Sequence, residues 1–422
     1  MKVTKLNSRA NTDDPKPIWW IMPIVLLLLS TPTIADEGFQ VEGYYKSFFT
    51  AFDSPVPNDS TIGAVVNRLR LNFSYAPTDA LSFDLSYNFA PRVQDPTLFT
   101  EPQFAVAVDP YGYRVADLDS QVYPAANQQG GSFGIFQNLD RASVQFSTAF
   151  ADISIGRQAV AWGSARVINP TDVVGPYTHN ELDTEDRIGV DAVRVQIPIG
   201  AMGEFDGGCV FGKDFGVDRS VLFLRSQLNA VETDFSIVLL RFREHLMAGF
   251  DMARGIGPVG FWFEGAYVSP NDSDDSNKTA TDYLRASVGL DYSLGGATYG
   301  FIEYHFSSAG AKQPENYLSN FTEPAYTDGA VYLMGRHYLA PGMAYQVTPL
   351  VNLSLQTLLN ISDLSTFLSS QMEYNIAQDI YLAIGALIGI GNPPETEDEA
   401  PQFRSEFGGY PNVYFSSFRF YF

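Results

Sequence analysis

Arginines recur at alternate positions within regular polar/apolar runs: Arg68, Arg70, Arg141, Arg194, Arg225, Arg241, Arg243, Arg285 and Arg419. Carboxylates take equivalent places at Glu42, Asp84, Glu204, Asp206, Glu264, Asp291, Glu303 and Glu373. Opposite charges sharing one wall can orient dipolar solutes and admit small polar ones. They can equally pair with each other to keep wall charges satisfied. Lysine is nearly missing from these runs apart from Lys46. This chemistry sorts solutes and does not make or break bonds. His179, His245, His305 and His337 show no metal-ligand spacing such as His-x3-His. Glu303 and His305 share a strand face, an ordinary arrangement for a polar wall. The single cysteine, Cys209, excludes disulfides and CxxC metal sites. No enzyme activity, cofactor or metal is expected.

The whole chain carries 26 Lys and Arg against 48 Asp and Glu, a net charge of −22. That balance argues against nucleic acid, whose phosphates need a basic face. Aromatic residues make up 14% while charged residues are only 18%. For a chain of 422 residues, the mix suggests a surface that does not meet water everywhere.

Residues 1–18 are polar and net basic, Trp19 to Leu29 are apolar, and Thr33-Ile34-Ala35 precede Asp36. This is the order of a cleavable secretory signal over 1–35. The alternative, an N-terminal anchor, needs about 20 apolar residues to cross a ~30 Å core. No later stretch reaches 18 apolar residues, which excludes a helical membrane protein. Residues 36–422 form one expected domain.

Those residues alternate with a period of two. Leu69, Leu71, Phe73 and Tyr75 oppose Arg68, Arg70, Asn72 and Ser74; Phe83, Leu85, Tyr87 and Phe89 oppose Ser82, Asp84, Ser86 and Asn88. The same unit recurs around 140–149, 282–294, 350–361, 380–391 and 412–422. A soluble sandwich would alternate too. However, these runs suit a tilted membrane crossing of about 9–11 residues, not the usual strand of about 5–6. Aromatics also collect at run ends on the apolar face: Tyr75, Tyr292, Tyr345 and Tyr374 at one end, Tyr45, Tyr87, Tyr267 and Tyr304 at the other. Two aromatic girdles around an aliphatic band mark an outer-membrane barrel, and in hydrocarbon a sheet must close on itself. The expected fold is all-β: a transmembrane antiparallel up-and-down barrel of 18 strands, or 16 if two runs are loop hairpins. Short turns then lie on the periplasmic side with the termini, and long connections are extracellular.

The chain ends Ser417-Phe418-Arg419-Phe420-Tyr421-Phe422. With the barrel pattern, this ending resembles that of the Gram-negative outer-membrane porin family. The segment Gly156-Arg157-Gln158, Trp162-Gly163, Asn169-Pro170-Thr171-Asp172 is similar to one in poorly characterised porin-like members. The resemblance implies an outer-membrane location and an assembly signal in Phe418, Phe420 and Phe422 read by the barrel-assembly machinery. It also implies contact with outer-membrane lipid and lipopolysaccharide, and it admits a homotrimer. The expected function is passive diffusion of small polar solutes or ions through an arginine-rich lumen. The residues expected to line it are Arg68, Arg70, Asp84, Arg141, Arg194, Arg225, Arg241, Arg243, Glu264, Arg285, Glu303 and Arg419. The alternatives are a hydrophobic-ligand transporter and a structural barrel sheathing a partner protein.

Three local features carry further expectations. Arg157 shares parity with Ile153 and Ile155, so either Gly156 hosts a bulge or Arg157 sits near the polar boundary. The 92–139 connection is too long for a passive loop and carries Phe104, Val106, Val108, Tyr111 and Tyr113. It is the first candidate for a lumen constriction, with 164–188 the second; an external cap is the alternative. Acidic runs at Glu181, Asp183, Glu185 and Asp186, at Asp272, Asp274 and Asp275, and at Glu395, Glu397, Asp398 and Glu399 are expected as solvated tips or an acidic mouth.

Overall fold

The computed structural model describes residues 38–53, 61–96, 111–125, 131–270, 281–397 and 400–422. The expected leader, Phe104, Val106 and Val108, and the acidic run at 272–275 lie outside these residues.

Eighteen strands form the wall: β1 (Phe39–Asp53), β2 (Ile62–Thr78), β3 (Leu81–Gln94), β4 (Phe133–Ser147), β5 (Asp152–Gln158), β6 (Val190–Ile199), β7 (Gly203–Val210), β8 (Val221–Ala230), β9 (Thr233–Phe242), β10 (His245–Ile256), β11 (Val259–Pro270), β12 (Tyr283–Leu294), β13 (Thr298–Ser307), β14 (His337–Thr348), β15 (Val351–Asn360), β16 (Thr366–Ala377), β17 (Ile380–Ile390) and β18 (Asn412–Tyr421). Each pairs antiparallel with its neighbour in sequence, and β18 closes on β1 from Tyr44 opposite Tyr421 to Asp53 opposite Asn412. Closure leaves no strand edge to satisfy in an apolar surround. A short extra strand, Gln121–Tyr123, leans on β4. A small hairpin, Glu395–Glu397 with Ala400–Gln402, stands apart.

Alternation is a physical partition. Along β9, Ile237 and Leu239 are 56% and 50% exposed, while Val238 and Leu240 between them are 2% and 3%. The exposed set on neighbouring strands is equally oily: Leu222, Leu246, Leu290, Ile302, Leu355 and Ile384. Tyr75, Tyr292, Tyr345 and Tyr374 are exposed at the end bearing the tight turns. A wall that is apolar outward and closed on itself suits hydrocarbon and not water. At that end the turns are two to four residues long. Val231 and Glu232 both take left-handed φ (55° and 57°), as a type I′ turn requires. Gly295 and Gly296 meet the same demand in the next turn but one without a Cβ penalty.

The opposite end carries the long connections, and described parts of them, in the 159–189, 308–336 and 403–411 segments, fold inward. Tyr113, Val160, Trp162, Val173, Val174, Tyr326 and Val331 form one buried cluster with the inward faces of β6–β12. Ile168 and Leu333 join Tyr338, Leu358, Phe367, Phe407 and Phe415 in a second, against β14–β18. Trp162 packs on Phe223 with ring centroids 4.9 Å apart. Burying one such ring contributes roughly 1.5–3 kcal/mol. The upper interior over β6–β18 is therefore a dry core made by the chain's own loops.

Candidate channel constriction

Two wall carboxylates seize the backbone of the 159–189 segment. Ser164 and Ala165 N–H each donate to Glu264 Oε2 at 2.9 Å, and Thr171 donates its N–H and its hydroxyl to Oε1 at 2.8 Å. Glu303 accepts Arg166 N–H at 2.7 Å, Ile168 N–H at 3.0 Å and Trp262 Nε1–H at 2.9 Å. Glu264 and Glu303 are 0% and 1% exposed. A buried carboxylate with no cation beside it is tolerable only when several donors converge on it. Gly163 lets the loop come this close: its φ is +105°, and a Cβ there would stand 2.6 Å from Glu264 Oε2. Ser287 hydroxyl donates to Ile168 O at 2.6 Å, and Arg285 reaches Asn169 O and Gly329 O, tying this loop to the 308–336 segment.

The second half of the loop carries carboxylates to the cationic wall. Lys46, its side chain 0% exposed, holds Asp183 at 2.9 Å and Glu185 at 2.6 Å, with Nζ 4.1 Å from the Tyr44 ring centroid. Arg68 reaches Asp183 at 3.0 Å. Tyr44 and Tyr421 hydroxyls donate to Asp186 and Glu185, each at 2.7 Å. Arg70 and Arg141 share Asp140, both at 2.7 Å. Arg187 binds Asp172 at 2.6 Å and lies over the Tyr177 ring. Burial pushes the Asp172 carboxyl up against the pull of Arg187. Asp183, Glu185 and Asp186, expected at a solvated mouth, are instead folded onto the wall.

On this side the charges keep contact with water. Side-chain exposure is 35% for Arg68, 43% for Glu185, 29% for Asp186 and 25% for Arg187. Across the barrel His179 is caged by Phe367, Phe407, Tyr410 and Tyr332. Burial pushes its imidazole down to about 4, so it stays neutral near pH 7.

The remaining wall residues fall into place individually. Arg194 binds Asp206 at 2.7 Å across β6 and β7. Arg225 donates to Ser236, Asp84 accepts from Ser74, and Arg419 pairs with Glu373. Arg243 lies in the β9–β10 hairpin and turns inward to Asp328 at 2.6 Å. Arg241 departs from the expectation: it is exposed, on the outward parity of Ile237 and Leu239. Both faces of β9 are apolar near this end, so alternation there carries no sign of which face is inner.

Arg157 is 5% exposed and sits one residue from the end of β5, bonded to Asp191 and Asp117. Pairing with β4 and β6 runs through Gly156 without a shift, although its φ is +115°. The irregularity lies in the next strand, where Ser86 faces Arg141 and Tyr87 faces Leu139. Asp140 is the extra residue, and its carboxylate is the one that Arg70 and Arg141 share. Adjacent opposite charges breaking an alternating run were the one sequence signal of it. Residues 113–117 of the 92–139 connection also fold inward: Arg114 donates to Gly189 O and binds Asp117, and Val115 N–H donates to Asp191.

His305 shares a 2.8 Å hydrogen bond with Ser287, but both are buried and Ser287 donates to the loop. Among the described residues no group of three or more His, Cys, Asp or Glu is placed to hold a metal ion.

Solved structures share this architecture. OccAB4 of Acinetobacter baumannii is 10% identical, with 93% of this chain and 100% of that one aligned at a TM-score of 0.56. The outer membrane protein opdK of Pseudomonas aeruginosa is 7% identical over 93% and 100%, at 0.54. OccK8 (OprE) of P. aeruginosa is 10% identical over 91% and 98%, at 0.53. The chain has the fold of these outer-membrane porins. No family model matches it, and no curated protein matches it in sequence.

On this porin fold the inserted loop and its wall partners form a charge-balanced unit. Removing the loop's half of it, with Asp183→Asn and Glu185→Gln together, should leave Lys46 buried without a counter-ion. Breaking one side of a buried pair costs about 3–5 kcal/mol. The ammonium is then expected to escape into water, shifting the reversal potential across a salt gradient toward anions. An unchanged reversal potential would show that these groups do not face the permeating ions.

Proposed function

We propose that this protein is an outer-membrane channel for passive diffusion of small polar solutes or ions. Its path runs along the β1–β4 wall beside the 176–189 segment. The observation that supports this most is the asymmetry of the interior: water reaches Arg68, Glu185, Asp186 and Arg187, while the opposite side is sealed by apolar loop residues. Arg68, Arg70, Arg141, Lys46 and the loop carboxylates then form the constriction. Asp84, Arg194, Arg225 and Arg419 line the wider wall below. Glu264, Glu303 and Arg285 hold the loop and do not meet the solute. A transporter for hydrophobic ligands would need its apolar interior vacant, and a sheath would need room for a partner; loops occupy that space among the described residues.

Phe418, Phe420 and Phe422 serve as the signal for the barrel-assembly machinery, on the strand that closes the seam. Phe422 completes that seam by exchanging backbone hydrogen bonds with Gly43.

Reconstitution in planar bilayers tests the channel. Discrete conductance steps with a defined reversal potential are expected. A folded barrel that inserts and gives no steps would overturn the reading.

A further inference from the structure

The outward guanidinium of Arg241 has no role in the channel. It makes no hydrogen bond or ion pair among the described residues, and it stands one position from the upper end of β9, opposite Leu222 and Leu246. An arginine on a lipid-facing wall costs about 2–4 kcal/mol at the midplane but only about 0–1 near the interface, so this height suits it. The connection beside it is the tightest at this end of the barrel: β9 and β10 are joined through Arg243 and Glu244 alone.

Below Arg241 lies an apolar groove of about 550 Å³ across β8–β11, lined by Leu222, Leu224, Leu239, Leu246, Ala248 and Tyr267. Leu222, Leu246 and Tyr267 are 62%, 59% and 50% exposed. Ala248, the small residue of the set, makes the depression. The carboxylate on the far rim, Asp282, is engaged by the Tyr267 and Ser269 hydroxyls.

We propose that this face is a lipid site: Arg241 binds the phosphate of a phosphorylated, multiply acylated glycolipid, and the groove below takes one of its acyl chains. The end with the long connections faces the outer leaflet, where a lipid A-type molecule supplies both parts. A guanidinium over phosphate gives a charge-assisted, bidentate contact, and the groove adds apolar burial for one chain. With the channel reading this site shares only the placement in an outer membrane.

Native mass spectrometry of the intact barrel in detergent, titrated separately with lipid A, phosphatidylglycerol and phosphatidylcholine, tests it. Lipid A should bind most tightly and phosphatidylcholine least. Arg241→Gln should weaken lipid A about tenfold, the loss of one charge-assisted contact, while Arg241→Lys keeps most of the binding. Ala248→Phe, which fills the groove with the guanidinium intact, should also weaken it. Equal binding of lipid A by wild type and Arg241→Gln, or phosphatidylglycerol binding as tightly as lipid A, would overturn the site. Conductance should be unchanged in all three variants, so loss of lipid binding and loss of the channel are separable.

Discussion

Replacing Glu264 and Glu303 together with alanine should open the barrel. The double variant is expected to insert and close as the wild type does, but with single-channel conductance raised by at least about twofold, because the cross-section at the narrowest point sets the current. Backbone N–H groups of residues 164, 165, 166, 168 and 171 end on these two carboxylates. Each hydrogen bond to a charged group contributes roughly 1.5–3 kcal/mol, and truncation strands all of them in a dry interior. The segment must then rotate toward water to satisfy its amides, taking Trp162 and Ile168 out of their clusters. Single glutamine variants should show part of the effect. An amide offers one acceptor oxygen and sets an N–H₂ against N–H donors that need an acceptor. Limited proteolysis gives a second readout: cleavage within 164–171 should appear in the double variant and be absent from wild type. A double variant with wild-type conductance and a protected loop would show that apolar packing alone holds the segment in place.

The strands were largely legible because a barrel imposes period two over its whole wall. The expected runs coincide with the observed strands to within a few residues nearly everywhere. The larger departures are three: the run expected over 140–149 begins at Phe133 in β4, the run expected over 152–163 ends at Gln158 in β5, and the run expected over 332–346 begins at His337 in β14. All three lie where loops pack on the wall. There, inward residues turn apolar to meet the loop, and the polar/apolar contrast that marks a strand fades. Arg241 was misplaced for the same reason: Val238, Leu240 and Phe242 are inward yet apolar, because they face Tyr113, Trp162 and Val331. Alternation reports a difference in solvent between two faces. Where lipid lies on one side and a dry core on the other, there is no difference to report.

The roles of Glu264 and Glu303 were hidden differently. Sequence places them on the inner wall but cannot tell a carboxylate facing solute from one facing backbone. That distinction depends on contacts 93 or more residues apart in the chain, such as Thr171 with Glu264. Asp183, Glu185 and Asp186 pose the same problem in reverse. A run of acids in a long connection reads as solvated because solvation is the default for charge. It is the unpaired Lys46 and Arg68 on the wall that draw them in, and nothing local to 181–186 records that.

A latch on the far side of the barrel should make the loops sensitive to pH. Glu406, in the 391–411 connection, is 2% exposed and accepts Met334 N–H at 2.9 Å, Asn360 Nδ2–H at 2.8 Å and the Tyr338 hydroxyl. No cation approaches it, whereas the Asp363 carboxylate stands in the same network and accepts Glu406 N–H at 2.7 Å. Burial is the largest influence and pushes the Glu406 carboxyl up to about 7 from 4.5, against the hydrogen bonds that favour its charge. In the folded state the proton is thus held over a range where the unfolded loop has already released it. The associated stabilisation is fully present below pH 4.5 and is lost as pH rises through about 7. A rise of this size corresponds to about 3 kcal/mol at most. Met334 lies beside Leu333 of the second cluster, so ionisation at Glu406 loosens the 332–335 segment there. Hydrogen–deuterium exchange at the Met334 amide, corrected for the intrinsic rate, should accelerate between pH 5.5 and 8.5 by one to two orders of magnitude, on the order of 1.4–3 kcal/mol of opening free energy. Glu406→Gln, neutral throughout, should keep the slow exchange at both pH values. If that variant shows the same acceleration as wild type, the pH response lies elsewhere. His179 is not its source, because burial keeps that caged imidazole neutral until about pH 4, below the range in question.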